Sequence, residues 1–338
     1  MRDGLLTMLE PFEVSSVTEP SRLGGGSSQE NWAFDAEFGG ADGSTHRQLL
    51  LRREPARGVI DTSRDVEFAL LKALSETELP VPKVYVSDDG SLMGRPAMVV
   101  DRVRGRAHRA VLRSKDPLEL GNEGRLTLAR SLPGLMAQVH MVDIRSTGID
   151  AVLAGPPADP GADELDRWTR ELDAVELEPH PALRAVIVWL HDHKPAPPLS
   201  CSLVHGDFRP ANLLVDKDGS VVALLDWELA RLGDPHDDLG WYTNTLYEKE
   251  HFLGDRWDET QFLAQWEIAT NIPVDRERLH FWQVMSVFRL AVIALSGVRA
   301  FCDGATDRPA APADSVIRAA LYETGLVTRT NTMNRSSS

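Results

Sequence analysis

The feature that most constrains this chain is a pair of polar turns, each following a short apolar segment. Residues 203–214 place Asp207 and Asn212 five positions apart, and Asp226 follows Asn212 by fourteen residues, after a second apolar segment. One loop can therefore aim Asp207 and Asn212 into a single cleft, and the next strand brings Asp226 to it. Carboxylate and amide oxygens suit Mg²⁺, which takes its other ligands from water and phosphates. A remaining carboxylate can accept a hydroxyl proton, so the parts needed for phosphoryl transfer are present.

The chain changes character near residue 101. Before that point, four alternating or apolar runs predict strands: 33–38, 48–53, 84–86 and 98–100. One helix is predicted among them, at 65–73. After that point, helical spacing dominates, most clearly in 124–142, 163–177, 258–270 and 276–299. The patterns predict an α+β protein with a mostly β lobe at 1–101, a larger and mostly helical lobe at 102–328, and a disordered tail at 329–338.

Composition and charge argue against several classes of protein. The 338 residues include 36 basic and 51 acidic ones, and a net charge of −15 repels nucleic-acid backbones. The longest charge-free run in the apolar C-terminal region is nine residues (290–298), whereas a bilayer span needs about 20, so we expect no membrane helix and no membrane partner. Two cysteines cannot build a disulfide framework, and no secretory leader is expected, so the prediction is a cytoplasmic protein.

Three ordered blocks of sequence resemble those of a known family. The His-Gly-Asp triplet at 205–207, with Asn212 after it, resembles the kinase catalytic loop, with Gly206 where protein kinases carry arginine. Asp-Trp-Glu at 226–228 resembles the replacement for Asp-Phe-Gly, and 233–239 resembles the Gly-Asp-Pro-x-x-Asp-Leu segment that follows it. In this order and spacing, the blocks resemble the aminoglycoside phosphotransferase family and its choline, methylthioribose and macrolide kinase relatives. The resemblance implies a protein-kinase-like two-lobe fold.

The resemblance implies that two backbone segments of the first lobe contact a nucleotide. The glycine-rich stretch 24–28 stands where a phosphate-covering loop lies in kinases, and its candidate contacts are Gly25, Gly26 and Ser27. A plain hairpin turn is the alternative interpretation of this stretch. The stretch 98–102 resembles the hinge whose backbone faces the adenine ring, and its candidate contacts are Val100 and Arg102.

The resemblance also implies a cation and an acid that fix the α- and β-phosphates. Arg52 ends a leucine run and stands in the place of the kinase lysine, while the adjacent Arg53 is the alternative for that position. A guanidinium group can grip phosphate with two hydrogen bonds, so the role survives the replacement. Glu67, on the helix that follows, matches the acidic partner of this cation. The alternative for Arg52 and Glu67 is a surface ion pair of little energetic value.

Carried over residue by residue, the resemblance implies a role for each polar side chain of the cleft. Asp207 would orient the acceptor hydroxyl and take its proton, and Arg209 would neutralise charge near the γ-phosphate. Asn212 and Asp226 would hold Mg²⁺. The predicted function is Mg²⁺-dependent transfer of the γ-phosphate of ATP or GTP to a hydroxyl group of a small molecule. The alternative is that these residues are present only because Asp and Asn favour turns.

The identity of the acceptor stays open. Arg52 together with the Asp-Trp-Glu triplet resembles the kinase-like domains fused to certain acyl-CoA dehydrogenases, which implies a hydroxyacyl acceptor. Arginines suited to an anionic substrate occur at positions 102, 104, 106, 109 and 113. The acidic stretch 159–178 suits a cationic substrate instead. A solvated surface is the alternative for both groups, so charge alone does not choose the acceptor.

Two other functions were weighed. A nucleotide-binding pseudokinase that regulates a protein partner is the main alternative, and the intact set Asp207, Asn212 and Asp226 argues against it. A protein kinase is disfavoured because no Ala-Pro-Glu segment follows Asp226, and only ten residues separate Trp227 from Asp238, too few for a long activation loop.

Overall fold

The computed structural model describes residues 1–24, 30–39, 44–54, 64–306 and 313–326. The predicted tail at 329–338 lies outside these ranges. The described strands are β1 (Val14–Val17), β2 (Ser21–Arg22), β3 (Glu30–Phe38), β4 (Thr45–Arg53), β5 (Val84–Asp88), β6 (Ala97–Asp101), β7 (Ser202–Val204), β8 (Leu213–Val215), β9 (Val221–Leu224) and β10 (Arg231–Gly233). The described α-helices are α1 (Arg2–Leu9), α2 (Arg64–Leu74), α3 (Gly121–His140), α4 (Ile149–Val152), α5 (Pro160–Val175), α6 (Pro181–Asp192), α7 (His236–Thr243), α8 (Glu248–His251), α9 (Glu259–Thr270), α10 (Arg276–Cys302) and α11 (Ala313–Glu323).

The N-terminal lobe is built on a six-stranded antiparallel sheet. Its strands lie in the order β1-β3-β4-β6-β5, with β2 paired to β3. Because side chains alternate along a strand, β4 turns Leu49 and Leu51 toward one face and Leu50 toward the other. The first face packs against α1, and the second packs against α2 and the helical lobe. The predicted strands and the predicted helix are confirmed. Helix α1 was not predicted from the sequence.

The second lobe is mostly helical and carries two small two-stranded ladders. One ladder pairs β7 with β10 and the other pairs β8 with β9. One apolar cluster joins α2 and the inner face of the sheet to α3, α9 and these ladders. A second cluster fills the space among α5, α6, α10 and α11. The architecture is the predicted α+β arrangement of two lobes, and the shared cluster joins them.

Helix α10 is 27 residues long and runs through the second cluster. By length and composition alone, this helix would be able to cross a membrane. The short charge-free run at 290–298 predicted no such helix. Half of its most apolar stretch is buried inside the protein. Buried core helices of other proteins share this property, so the resemblance to a membrane span carries little weight.

Candidate active site

The predicted catalytic loop begins where β7 ends. Residues 205–207 follow this strand, and the 3₁₀ turn Pro210–Asn212 leads into β8. Gly206 adopts a φ of +82°, and a Cβ atom there would lie 2.5 Å from the carbonyl oxygen of Leu229. Only glycine fits such a left-handed, crowded position. The glycine that replaces the arginine of protein kinases is therefore required by the shape of the turn.

Asp207 is held by the two side chains predicted to lie near it. The Nδ2 atom of Asn212 donates to the backbone oxygen and to Oδ2 of Asp207, both at 2.8 Å. Arg209 Nε donates to Oδ2 at 3.1 Å and lies 2.9 Å from Oδ1. Oδ1 itself accepts no hydrogen bond within the described residues. Burial raises the pKa of Asp207 to about 6, the charge of Asp226 adds to the rise, and Arg209 and Asn212 oppose it.

Asp238, on α7, supports the backbone of the catalytic loop. The N–H groups of His205 and Gly206 donate to its two carboxylate oxygens, both at 2.8 Å. His140 Nε2 lies 3.1 Å from Oδ2, and Trp266 Nε1 donates to His140 Nδ1 at 3.0 Å. Burial opposes ionisation of Asp238, but hydrogen bonds and charge from the histidines lower its pKa to about 2. The loop therefore rests on a buried, ionised carboxylate that is itself braced by α3 and α9.

His205 links this loop to the end of β9. Its Nε2 lies 3.0 Å from the carbonyl oxygen of Leu225, and the N–H of Asp207 donates to its Nδ1 at 3.2 Å. The two contacts place the proton on Nε2, and burial lowers the pKa of the ring. His205 is thus a neutral, structural histidine, and Asp207 remains the carboxylate available as a base.

The two predicted metal ligands lie on adjacent turns. The N–H of Leu225 donates to the carbonyl oxygen of Asn212 at 2.8 Å, and Asp226 follows in a left-handed conformation with φ of 69°. Because the amide nitrogen of Asn212 is engaged by Asp207, its Oδ1 is the atom that faces a cation. Within the described ranges, no group of three or more His, Cys, Asp or Glu residues could hold a metal ion. Two hard oxygen donors fit Mg²⁺, which completes its shell with water and phosphate oxygens.

Glu228 adds a third acid to this region, and the sequence analysis gave it no role. Burial, followed by the charges of Asp226 and Glu67, raises the pKa of Glu228 to about 7, and Arg52 opposes the rise. Asp207 also contributes to the rise. Carboxylates that disfavour one another's ionisation concentrate negative potential, which a bound cation relieves.

The alternation of β4 separates the two candidate phosphate cations. Arg52 lies on the inner face of the sheet, where its Nη1 is 2.8 Å from Glu67 Oε1 on α2. Arg53 lies on the outer face, donates to Glu30 Oε2 at 2.7 Å, and also reaches the carbonyl oxygen of Met93 at 3.2 Å. The structure therefore brings Arg52 and Glu67 together on the side of the catalytic loop and holds Arg53 away from it.

The remaining nucleotide contacts predicted from the sequence are placed only in part. Gly25, Gly26 and Ser27 lie outside the described residues. The Val100 side chain is buried in the core, and Arg102 is exposed. The N–H of Arg102 donates to the carbonyl oxygen of Gln48 at 2.9 Å, within the sheet. The first N–H beyond the sheet without an acceptor among the described residues belongs to Val103, which the sequence analysis did not single out.

Behind the loop lies a cluster of four charged side chains that the sequence analysis missed. This buried quartet comprises Glu164, Arg231, Asp237 and Arg289, each at most 15% exposed. Arg231 Nε lies 3.2 Å from Glu164 and its Nη2 pairs with Asp237, while Arg289 lies 2.5 Å from Asp237 and 3.5 Å from Glu164. Burial raises the pKa of Glu164, but the two guanidinium groups outweigh it and lower the pKa. The quartet joins α5, β10, α7 and α10 directly beneath Gly206.

Residues 20–282 match the model of the APH phosphotransferase enzyme family, which covers more than half of the chain. The chain belongs to this phosphotransferase family. The resemblance predicted from the three sequence blocks is therefore confirmed, and family membership supports an enzyme of the kinase-type phosphotransferase class.

Two curated relatives of this phosphotransferase are acyl-CoA dehydrogenase family members. Member 10 from Mus musculus is 31% identical over 271 residues, which cover 75% of this chain and 24% of the relative. Member 11 from Gallus gallus is 31% identical over 226 residues, which cover 65% of this chain and 27% of the relative. The chain thus spans about a quarter of the length of these relatives. They are the branch that the sequence analysis favoured.

Solved structures with the same fold include several phosphotransferases. A putative aminoglycoside phosphotransferase from Ralstonia eutropha JMP134 has a TM-score of 0.72 at 23% identity and covers 95% of both chains. A thermostable mutant of aminoglycoside phosphotransferase APH(4)-Ia has a TM-score of 0.61 at 17% identity, covering 96% of this chain and 98% of that one. An ethanolamine kinase from Plasmodium vivax has a TM-score of 0.61 at 12% identity, covering 95% and 84%. The predicted two-lobe kinase-like fold is confirmed.

A second set of side chains near Asp207 in this phosphotransferase contains a tyrosine and two arginines. Tyr247 is buried, and burial raises its pKa to about 12, with Arg209 opposing and Asp207 adding to the rise. Glu250, on α8, binds Arg109 at 2.5 Å and Arg113 at 2.8 Å. Two of the arginines suggested for an anionic substrate therefore share one buried acid on α8.

Proposed function

We propose that this chain transfers the γ-phosphate of ATP or GTP to a hydroxyl group of a small molecule in an Mg²⁺-dependent reaction. The observation that carries the proposal is the state of the Asp207 carboxylate. Its Oδ2 is held by Asn212 and Arg209, while its Oδ1 receives no hydrogen bond within the described residues. A buried acceptor atom that is ion-paired but receives no hydrogen bond within the described residues is suited to receive the hydroxyl hydrogen of a substrate.

The protonation state of Asp207 suits this role. A pKa of about 6 leaves the carboxylate mostly ionised at neutral pH and still basic enough to take a proton. The proton passes from the acceptor hydroxyl to Oδ1 as the new oxygen–phosphorus bond forms and the bond to the leaving nucleoside diphosphate breaks. Arg209, 2.9 Å from the same oxygen, lowers the cost of the negative charge that gathers on the transferred group.

The nucleotide would lie between the two lobes. Asn212 Oδ1 and Asp226 would hold Mg²⁺, and the bound ion would neutralise charge on the nucleotide phosphates. Arg52, oriented by Glu67, would contact the α- and β-phosphates. The N–H of Val103 would face the base, since it is the first backbone donor beyond the sheet that has no acceptor among the described residues.

Known proteins with this fold support the choice of substrates. One mutant of APH(4)-Ia has been solved as a ternary complex with AMP-PNP and hygromycin B, and its TM-score with this chain is 0.58. The curated relatives carry acyl-CoA dehydrogenase names, so hydroxyacyl compounds are the first acceptors to test.

The test is release of ADP or GDP in the presence of Mg²⁺ against pooled acceptors: aminoglycosides, macrolides, choline, sugars and hydroxyacyl-CoA esters. We expect turnover with one pool. In Asp207→Asn, loss of the base should lower the rate by about 10²-fold or more. Asp218→Asn, an exposed aspartate in the β8–β9 turn, is the matched control and should keep full activity. Nucleotide binding without turnover on any pool would favour the pseudokinase instead.

A further inference from the structure

A basic pocket lies next to α8, and the function proposed above does not use it. Its volume is about 560 Å³. Three of its lining residues are apolar, namely Leu112, Phe252 and Leu253, and four are basic, namely Arg113, Arg125, Lys249 and Arg256. No acidic residue lines it among the described residues. This pocket is therefore lined by positive charge in a chain whose net charge is −15.

The four cations differ in how far they are already engaged. Arg125 is buried, and its guanidinium binds two carbonyl oxygens and Asn122. Arg256 pairs with Glu123 at 2.9 Å on the surface. Arg113 uses only Nη2, for Glu250, and Lys249 forms no ion pair within the described ranges. Arg113 and Lys249 therefore keep donors that are available to a ligand.

Helix α8 links the basic pocket to side chains near the catalytic loop. Lys249 lines the pocket, and its neighbour Glu250 binds both Arg109 and Arg113. Arg109 in turn lies close enough to Arg209 for the two charges to influence each other. Tyr247, immediately before α8, is similarly close to Asp207. A residue that lines the pocket, Lys249, and one that influences Arg209, Tyr247, thus lie on, or directly before, the same short helix.

We propose that the basic pocket binds a phosphate or carboxylate group of the acceptor, on a part of that molecule remote from the hydroxyl that is phosphorylated. The inference rests on the proposed function. Charge-assisted hydrogen bonds from Arg113 and Lys249 recognise the anion. The apolar lining residues Leu112, Phe252 and Leu253 contact the carbon chain that bears the anionic group.

Three probes that share one ring and differ in one head group test the inference: phenyl phosphate, benzoate and benzyl alcohol. Each is titrated calorimetrically into the full chain with ADP and Mg²⁺ present, so that the nucleotide site does not compete. The test variant carries both Arg113→Gln and Lys249→Gln. Removing these two charge-assisted contacts should weaken anion binding by about tenfold or more. Both side chains are exposed, so the fold should survive, and Arg130→Gln on α3 is the matched control.

We expect the wild type and Arg130→Gln to prefer an anionic probe to benzyl alcohol by about tenfold, and the double variant to lose that preference. Comparing phenyl phosphate with benzoate identifies the anion. Equal affinity for all three probes, or a preference that persists in the double variant, would overturn the inference. The titration needs no turnover, so an inactive enzyme would count against the proposed function without obscuring this result.

Discussion

Two groups of charged side chains flank the catalytic loop, and they differ in their exposure to solvent. The buried quartet beneath Gly206 has side chains at most 15% exposed, and each of its members has partners of opposite charge. In the second group, on the proposed acceptor side, Arg109 and Arg113 are 68% and 45% exposed, and both pair with one buried acid, Glu250. The first group leaves little for a ligand to bind, whereas the second keeps open donors. The comparison separates side chains that set the shape of the loop from side chains that select what approaches it.

The energies of the two groups should differ accordingly. Removing one partner of a buried ion pair leaves an uncompensated charge and costs about 3–5 kcal/mol, whereas an exposed pair contributes about 0–1 kcal/mol. Variants that unfold the protein should therefore cluster beneath the loop. Variants that change ligand affinity should cluster at the acceptor side.

The largest expected effect comes from breaking the buried quartet. Arg289→Met removes one of the two buried cations that pair with both Asp237 and Glu164, so the free energy of unfolding should fall by about 3–5 kcal/mol. Urea denaturation measures it. Arg299→Gln, on the same helix, removes an exposed pair with Asp303 and should cost less than about 1 kcal/mol. Equal losses in the two variants would remove the distinction between the groups.

The next effect concerns activity. Asp238→Asn removes one of the two hydrogen bonds that hold the backbone of the loop, because an amide nitrogen cannot accept, so kcat should fall by about 10²-fold while the KM for nucleotide stays near its wild-type value. Steady-state kinetics with the acceptor found in the screen provide the measurement. An unchanged kcat would mean that the loop keeps its shape without Asp238.

The lowered pKa of Asp238 also predicts how the free energy of unfolding depends on pH. Its folded-state pKa of about 2 lies below the ordinary 3.8, so its contribution is complete above pH 4 and is lost as pH falls from about 4 to 2. The shift corresponds to about 2 kcal/mol of unfolding free energy. Denaturation curves of the wild type should converge with those of Asp238→Asn at the acid end of this range. Curves that stay parallel would contradict the assignment.

The smallest of these effects sharpens the contrast between the two faces of β4. Arg52→Ala removes the guanidinium beside Glu67, so the KM for nucleotide should rise by about tenfold, and Arg52→Lys should retain part of the wild-type activity. Arg53→Ala removes a contact on the outer face and should leave that KM unchanged. Full wild-type activity in Arg52→Ala would reassign the phosphate contact.

The parts of the fold that sequence predicted correctly are those with local signals. Alternation in β4, apolar spacing in α2 and the turn residues around Asp207 each act over a few positions. Helix α1 has buried residues at Leu5, Met8 and Leu9, but it is short and lacks a side-chain cap, so its pattern is weak. Its stability comes from packing against a sheet that is formed by later residues.

The parts that sequence missed depend on distant residues. Glu164 and Arg289 lie 125 positions apart, and no local pattern marks either as a member of a buried cluster. The pairing of Arg52 with Glu67 was within reach, since Leu50 and Arg52 share one face of the strand and Glu67 follows on the next helix. Val103 was not, because only the hydrogen bonds of the sheet show which N–H group is left without an acceptor.

The most direct test of the account is whether Asp207 and Asp226 have different roles. ADP affinity is measured by calorimetry, with and without Mg²⁺, in the wild type, Asp207→Asn and Asp226→Ala. We predict that Mg²⁺ strengthens ADP binding in the wild type and in Asp207→Asn and has no effect in Asp226→Ala, since Asp226, unlike Asp207, is proposed as a metal ligand. Mg²⁺-dependent affinity that persists in Asp226→Ala would contradict the account.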